Sequence, residues 1–144
     1  MARNVRDVMT ENPITIDASE PVASAALILR DEDIGSLPVT LEGRLYGVIT
    51  DRDIATRVAA KGLELDSAAV RDVASTGAIT VSPETDLDEA LRLMAHHQVR
   101  RLPVVEDDRV VGILAQADVA HEEEHEQVGE TVEAISDPST EDRR

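Results

Sequence analysis

Apolar residues recur along this chain with two periods, and each change of period marks an element. Ile14-Thr15-Ile16 and Ile79-Thr80-Val81 alternate apolar and polar, as a short strand does. Val22, Ala25, Ala26 and Leu29 then share one helical face at the 3.6-residue period, and Leu87, Ala90, Leu91 and Met94 repeat the pattern. Ser19 and Thr85 are placed to cap these helices, Thr85-Asp86-Leu87-Asp88 resembles a capping box, and Pro21 is tolerated in a first turn. Leu37–Leu41 and Leu102–Val105 read as strands whose early proline suits a strand start or an edge. Glu42-Gly43 and Asp107-Asp108 predict hairpin turns, with Arg44–Ile49 and Arg109–Leu114 as the returning strands. A second helix follows each hairpin: Asp51–Ala60, ended by Gly62, and Gln116 to about Gln127. Val5–Met9 and Val70–Ala74 read as short helical turns ahead of each set.

The two sets are copies. Val5/Val70, Asp7/Asp72, Ile14/Ile79, Ala25/Ala90, Pro38/Pro103, Gly47/Gly112 and Asp53/Asp118 all match at one offset (112 − 47 = 65), without a gap. The order in each is strand, helix, strand, strand, helix. A three-strand sheet with helices on one face is too small to stand alone, so the copies should pack on each other. The expected architecture is α/β (α+β): two β-α-β-β-α repeats about a pseudo-two-fold axis. Residues 1–65 form the first repeat with its linker, 66–127 the second, and 128–144 a tail. Within the tail, Val128–Ile135 has weak helical spacing, and Ser136–Arg144 is polar and expected to fray.

Composition narrows the picture. With no Phe or Trp and Tyr46 as the single aromatic, the core must be built from Val, Ile, Leu and Ala, which makes a lone half marginal. Fourteen basic against 30 acidic residues give 14 − 30 = −16, a charge that repels nucleic acid and anionic lipid. The absence of Cys excludes disulfides, thiol catalysis and Cys-based metal sites. The N-terminus lacks the apolar segment of a signal peptide, and the longest apolar run, Val22–Leu29, is broken by Ser24. That run is far short of the roughly 20 residues that span a bilayer, so a cytoplasmic protein is expected.

The chemistry gathers where strand meets helix, at Gly47-Val48-Ile49-Thr50-Asp51-Arg52-Asp53 and at Gly112-Ile113-Leu114-Ala115-Gln116-Ala117-Asp118. Free backbone N–H groups and the helix dipole favour an anion at such a corner. Gly47 permits close backbone approach, Thr50 offers a hydroxyl to a phosphate oxygen, and Asp53 offers a carboxylate to the hydroxyls of a ribose. With no aromatic platform, a base would lie among aliphatic side chains such as Ile14, Ile16 and Val39.

The duplicated Leu-Pro-Val, the glycine-to-aspartate corner and the Val-Arg-Asp-Val-Met-Thr opening resemble the tandem cystathionine-β-synthase (CBS) domain pair from Val5 to about Ala120. The likeness is to small stand-alone pairs of the actinobacterial hypoxic-response type. It implies a sensor that binds AMP, ADP, ATP or S-adenosylmethionine between the copies, acts without catalysis or cofactor, and assembles as a homodimer. By position, the resemblance assigns ribose to Asp53 and Asp118 and phosphate to Thr50. Arg101, with Arg100 beside it, stands where the family often places a phosphate-binding cation. Thr15, Ile16, Thr80 and Val81 would line base and ribose, with Pro38 and Val39 as further contacts. This chain departs from the pattern at Ala115, which lacks the hydroxyl, and at Gly35-Ser36, opposite Arg100-Arg101. A composite or single site is therefore expected rather than two equal ones.

Blander readings compete. Asp53, Asp118 and Thr50 could serve only as caps, and the two arginines only as surface charges. His121-Glu122-Glu123-Glu124-His125 matches the H-E-x-x-H pattern, but on an acidic helix without a third ligand it reads as a solvated helix end. His96-His97 complements the dipole at a helix terminus. The alternative to a nucleotide sensor is a ligand-free interaction dimer that kept the fold and lost the site.

Overall fold

The computed structural model describes residues 3–122. The elements, in chain order, are a 3-10 turn at Val5–Asp7, β1 (Thr10–Glu11), β2 (Ile16–Asp17), α1 (Val22–Asp31), β3 (Ser36–Leu41) and β4 (Arg44–Thr50). They continue with α2 (Asp51–Asp53, extended as a π-helix over Ile54–Ala59), α3 (Val70–Val73), α4 (Leu87–His97), β5 (Arg101–Glu106) and β6 (Arg109–Ala115). Residues 116–122 are helical again, as α5.

One sheet has the order β2-β3-β4 and the other β1-β6-β5. In the first, β2 pairs parallel with β3 across the α1 crossover, and β3 pairs antiparallel with β4. The second repeats this as β5 against β6, with Val81 bridging parallel to Val104. Both hairpins shift register at the same place, between Val39 and Thr40 and between Val104 and Val105. Both turns hold two successive residues at positive φ: Glu42 and Gly43, then Asp107 and Asp108. Such turns match the right-handed twist of the strands they join.

The copies trade their opening segments. Strand β1, from the first copy, pairs with β6 of the second, setting Thr10 opposite Ile113. Ser75, from the second copy, bridges to Val48 in β4 of the first. These pairs are equivalent (75 − 10 = 113 − 48 = 65). The reciprocity extends to single bonds: Val5 N–H donates to the Thr85 carbonyl and Val70 N–H to that of Glu20, Leu87 N–H to Arg3 and Val22 N–H to Ala68. The pseudo-two-fold axis is thus written into the hydrogen bonds.

Packing follows the exchange. One core joins Ile16, Val22, Leu37 and Ile49 to Val70, Val73 and Ala74 from the second copy. The other joins Val81, Leu87, Met94 and Leu102 to Val5 from the first. Burying Val70 and Val73 contributes roughly 1.5 kcal/mol or more each, and that contribution exists only while the copies are together.

Several local expectations need correction. Pro21, not Ser19, is the N-cap of α1, and no side chain caps it. Ser19 is drawn away by Asp17, whose Oδ2 accepts from the Ser19 amide at 2.9 Å and from its hydroxyl. The second of these bonds, helped by the first, holds the Asp17 carboxyl below its ordinary value. Asp86, not Thr85, caps α4, accepting from the amides of Asp88 and Glu89, while Thr85 Oγ1 accepts from Ser82 N at 3.0 Å. Strand β2 covers Ile16–Asp17 rather than Ile14–Ile16, and 79–81 contribute a single bridge at Val81. The helix after Thr50 widens to π: Ala60 N–H donates to Ala55 O, and the Thr56 hydroxyl takes the Arg52 carbonyl at 2.7 Å. The readings for the end of the last helix and for 128–144 lie outside the described residues.

Candidate functional site

The strand-to-helix corner of the first copy is closed by its own side chains. Thr50 ends β4 in extended conformation and caps α2, its Oγ1 accepting from Asp53 N at 2.9 Å. Asp53 Oδ2 reciprocates, accepting from Thr50 N at 3.0 Å, which completes a capping box. Asp53 is 8% exposed, the one charged residue among the buried described residues. Its other oxygen, Oδ1, accepts from Ser75 Oγ at 3.3 Å and lies 3.8 Å from Arg57 Nε. Arg57 Nη1 donates in turn to the Val73 carbonyl at 3.1 Å. A buried carboxylate needs such partners. Here two of the partners reach, directly or in one step, the segment that the second copy lends to the first.

Gly47 takes part differently from the expectation. A Cβ at Gly47 would stand 2.3 Å from the Ser75 carbonyl oxygen, and one at Gly112 would stand 2.9 Å from that of Thr10. What approaches these glycines is the opening segment of the other copy. Their job in the fold is to admit the exchange.

Among the described residues, two of the cavities along the seam bear on the candidate site. The larger, of about 900 Å3, has on its wall Thr50 and Gly35-Ser36 from the first copy, and Ser75–Ile79 and Arg100-Arg101 from the second. The smaller, of about 380 Å3, is bounded by Ile14, Glu32, Pro38, Arg101, Pro103 and others. They are related by the pseudo-two-fold axis: Ser75, Gly77 and Ile79 of the larger correspond to Thr10, Asn12 and Ile14 of the smaller. Both volumes lie in the range of small-molecule sites.

The candidates named from sequence separate into groups. Thr50, Arg100 and Arg101 come together at the larger cavity, although they belong to different copies. Pro38 and Arg101 line the smaller one. Ile16, Val39 and Val81, at 5%, 0% and 5% exposure, are core residues and line neither. Thr15 and Thr80 are half-buried beside their strands, also off both walls. Asp53 stands behind Thr50 and Ser75, one side chain removed from the larger cavity. Asp118 is exposed on α5 and faces neither cavity. Residue 57 of the first copy corresponds to Glu122 of the second, which pairs with Arg3 instead, so the second corner has no equivalent of the Asp53–Arg57 pair.

Sequence reasoning passed over Ser75, Thr76, Gly77, Asp51 and His97, all on the larger wall. The Ser-Thr-Gly run, with Gly77 at φ +73°, is a turn signal that marks where the lent segment bends around the cavity. Among the described residues, neither the Arg100 nor the Arg101 guanidinium has a hydrogen-bond or ion-pair partner, although the Arg100 carbonyl accepts from Gln116 N–H at 2.8 Å. Two unengaged guanidinium groups beside a hydroxyl can hold a phosphate, and the apolar Ile34, Val48, Ile79 and Val99 supply a surface for a flat ring. Among the described residues no group of three or more His, Asp or Glu could hold a metal ion. Nor is any helix there long and apolar enough to cross a membrane.

Comparison with known proteins agrees with this architecture. The CBS domain family matches residues 5–60 and 70–125. The CBS domain-containing protein YhcV of Bacillus subtilis is 37% identical over 134 residues, covering 92% of this chain and 95% of its own length. Hypoxic response protein 1 of Mycobacterium tuberculosis is 35% identical, covering 92% and 94%. A crystal structure of Hypoxic Response Protein I with two coordinated zinc ions superposes with a TM-score of 0.76 at 36% identity, over 83% of this chain and 98% of that one. The crystal structure of CBSX2 in complex with AMP superposes with a TM-score of 0.76 at 26% identity, over 86% and 98%. Duplicate halves, reciprocal strands and matched relatives converge: this chain belongs to the CBS domain family, as a tandem pair of CBS domains.

Proposed function

We propose that the chain is a non-catalytic, cytoplasmic regulatory module that binds an adenosine nucleotide in the larger seam cavity. The carrying observation is the meeting of Thr50 from one copy with the unengaged Arg100 and Arg101 guanidinium groups from the other around one cavity of about 900 Å3. Thr50 Oγ1 accepts from Asp53 N and still has its own hydrogen to donate. Phosphate would sit between that hydroxyl and the two guanidinium groups, and adenine against Ile34, Ile79 and Val99. Asp33 and Asp51, also on this wall, can accept from ribose hydroxyls. Asp53 acts one layer back, holding Thr50 and Ser75 in position. The AMP complex of CBSX2 supports the ligand class by analogy. S-adenosylmethionine, which lacks phosphate, would leave the arginines without their partner. A homodimer formed through the helical faces is part of the same reading, supported by Leu27, which is 50% exposed on α1.

Titration calorimetry with AMP, ATP and S-adenosylmethionine tests the proposal. AMP or ATP should bind and raise the melting temperature, since a ligand specific to the folded state must stabilise it. Arg100→Ala should weaken that binding by tenfold or more. The engagement of both Asp53 oxygens inside the fold favours a second reading, a ligand-free interaction dimer. A dimer by sedimentation with no melting shift from any adenosine compound would establish that reading instead.

A further inference from the structure

The two cavities share a wall: Ile34, Ser36, Val48, Arg101 and Pro103 face both. Ser36 and Arg101 occupy equivalent positions (101 − 36 = 65), so the duplication left one guanidinium where symmetry would supply two. The remaining differences have the same sense. The larger cavity adds Arg100 and the Thr50 hydroxyl, whereas Gly35 and Ala115, their counterparts, do not line the smaller one. Glu32 faces the smaller cavity where His97 faces the larger (97 − 32 = 65).

We infer that Arg101 is a phosphate ligand shared by the two cavities and able to serve one at a time, so that each chain holds one phosphorylated ligand at full strength, in the larger cavity. This deepens the adenosine-nucleotide reading and rests on it. A guanidinium pairs with a phosphate through a fork of parallel N–H groups, and a fork turned to one cavity is withdrawn from the other. Once Arg101 turns to the larger cavity, the smaller keeps Glu32 and no cation among its lining residues. A second phosphate there would meet that carboxylate and the first phosphate across the shared wall, a like-charge arrangement that disfavours binding. The asymmetry sets the order of filling: the cavity with two arginines fills first and disarms its twin.

Titration calorimetry of the full chain with AMP decides it, using wild type, Ser36→Arg and Arg101→Met. Wild type should take one AMP per chain, any second at least tenfold weaker. Ser36→Arg, which supplies the missing cation, should take two at affinities within a few-fold of each other. Arg101→Met should weaken the first AMP at least tenfold while its unliganded melting temperature stays near that of wild type. Two equal AMP sites in wild type overturn the sharing and leave the nucleotide reading standing, as does an unchanged AMP affinity in folded Arg101→Met. No AMP binding at all removes both. Should Ser36→Arg fail to fold, the wild-type stoichiometry still decides.

Discussion

Gly47→Ala and Gly112→Ala change the same position of the two copies, yet they should differ sharply. A Cβ at 47 would lie 2.3 Å from the Ser75 carbonyl oxygen and 3.1 Å from its carbon, both backbone atoms. Reaching ordinary contact at 3.4 Å requires the lent strand to withdraw by 3.4 − 2.3 = 1.1 Å. That strand is held by Val48 N–H to Ser75 O at 3.0 Å and Ser75 N–H to Val48 O at 2.9 Å. Withdrawal on this scale breaks both bonds, and each half-buried group left unpaired costs on the order of 1–2 kcal/mol, the lower part of the range for buried groups. It also loosens the Ser75–Asp53 contact. Removing glycine from the unfolded chain returns about 0.4–1 kcal/mol. The net cost of Gly47→Ala is therefore about 3 kcal/mol, a large share of the 5–15 kcal/mol typical of a domain. At Gly112 the nearest atom, at 2.8 Å, is the sulfur of Met9, a flexible side chain that can swing aside. The Thr10 oxygen at 2.9 Å asks for only 3.4 − 2.9 = 0.5 Å, so the cost should stay near 1 kcal/mol. Equilibrium urea unfolding measures both, with an unchanged m-value confirming that stability alone has moved. The reasoning fails if Gly112→Ala costs as much as Gly47→Ala, or if Gly47→Ala lies within 0.5 kcal/mol of wild type.

Three further outcomes are expected. Asp53→Ala should destabilise by roughly 2 kcal/mol, because it removes half of a capping box and the partner of the Ser75 hydroxyl, whereas exposed Asp118→Ala should stay within about 0.5 kcal/mol in the same urea assay. Asp17, with its carboxyl held below the ordinary 3.8, adds stability that is present above that value and is lost as pH falls through the lower folded-state value. Asp17→Asn should therefore show a smaller drop in urea midpoint than wild type when pH is lowered from 5 to about 3. AMP affinity should fall as salt rises from low to physiological ionic strength, since Arg100 is exposed and open to screening; a salt-independent affinity by calorimetry would remove the arginines from the site.

The fold was largely legible because the chain states it twice. An offset that holds from Val5/Val70 to Asp53/Asp118 fixes two like halves, and period, turns and Leu-Pro-Val fix the elements within each. The exchange of opening segments was not legible: pairing Thr10 with Ile113 and Ser75 with Val48 is long-range, and no local propensity records it. Gly47 carried the trace, but a glycine that admits a strand and one that admits a phosphate look alike in sequence. Capping was misread for a similar reason. Ser19 has the right chemistry, yet Asp17 two residues earlier competes for both its amide and its hydroxyl. At the site, the join between Thr50 and the arginines was readable as complementary loss in two copies. That Ile16, Val39 and Val81 point into the cores depended on which sheet face is buried, which alternation within a single strand does not settle.

The exchange also gives binding a route to the whole molecule. The larger wall is built from Ser75–Ile79, lent by the second copy, and from Thr50 and Gly35-Ser36 of the first. Ser75 is held to the first copy by β4 and by Asp53, and Val70 and Val73 of the same segment are buried in the first copy's core. A ligand spanning the cavity touches both sides of the seam, so separating the halves destroys its site. By linkage, its binding energy is then added to the free energy that keeps the segments exchanged. Two small sheets, neither with a fully buried aromatic, would thus be joined more firmly when ligand is present.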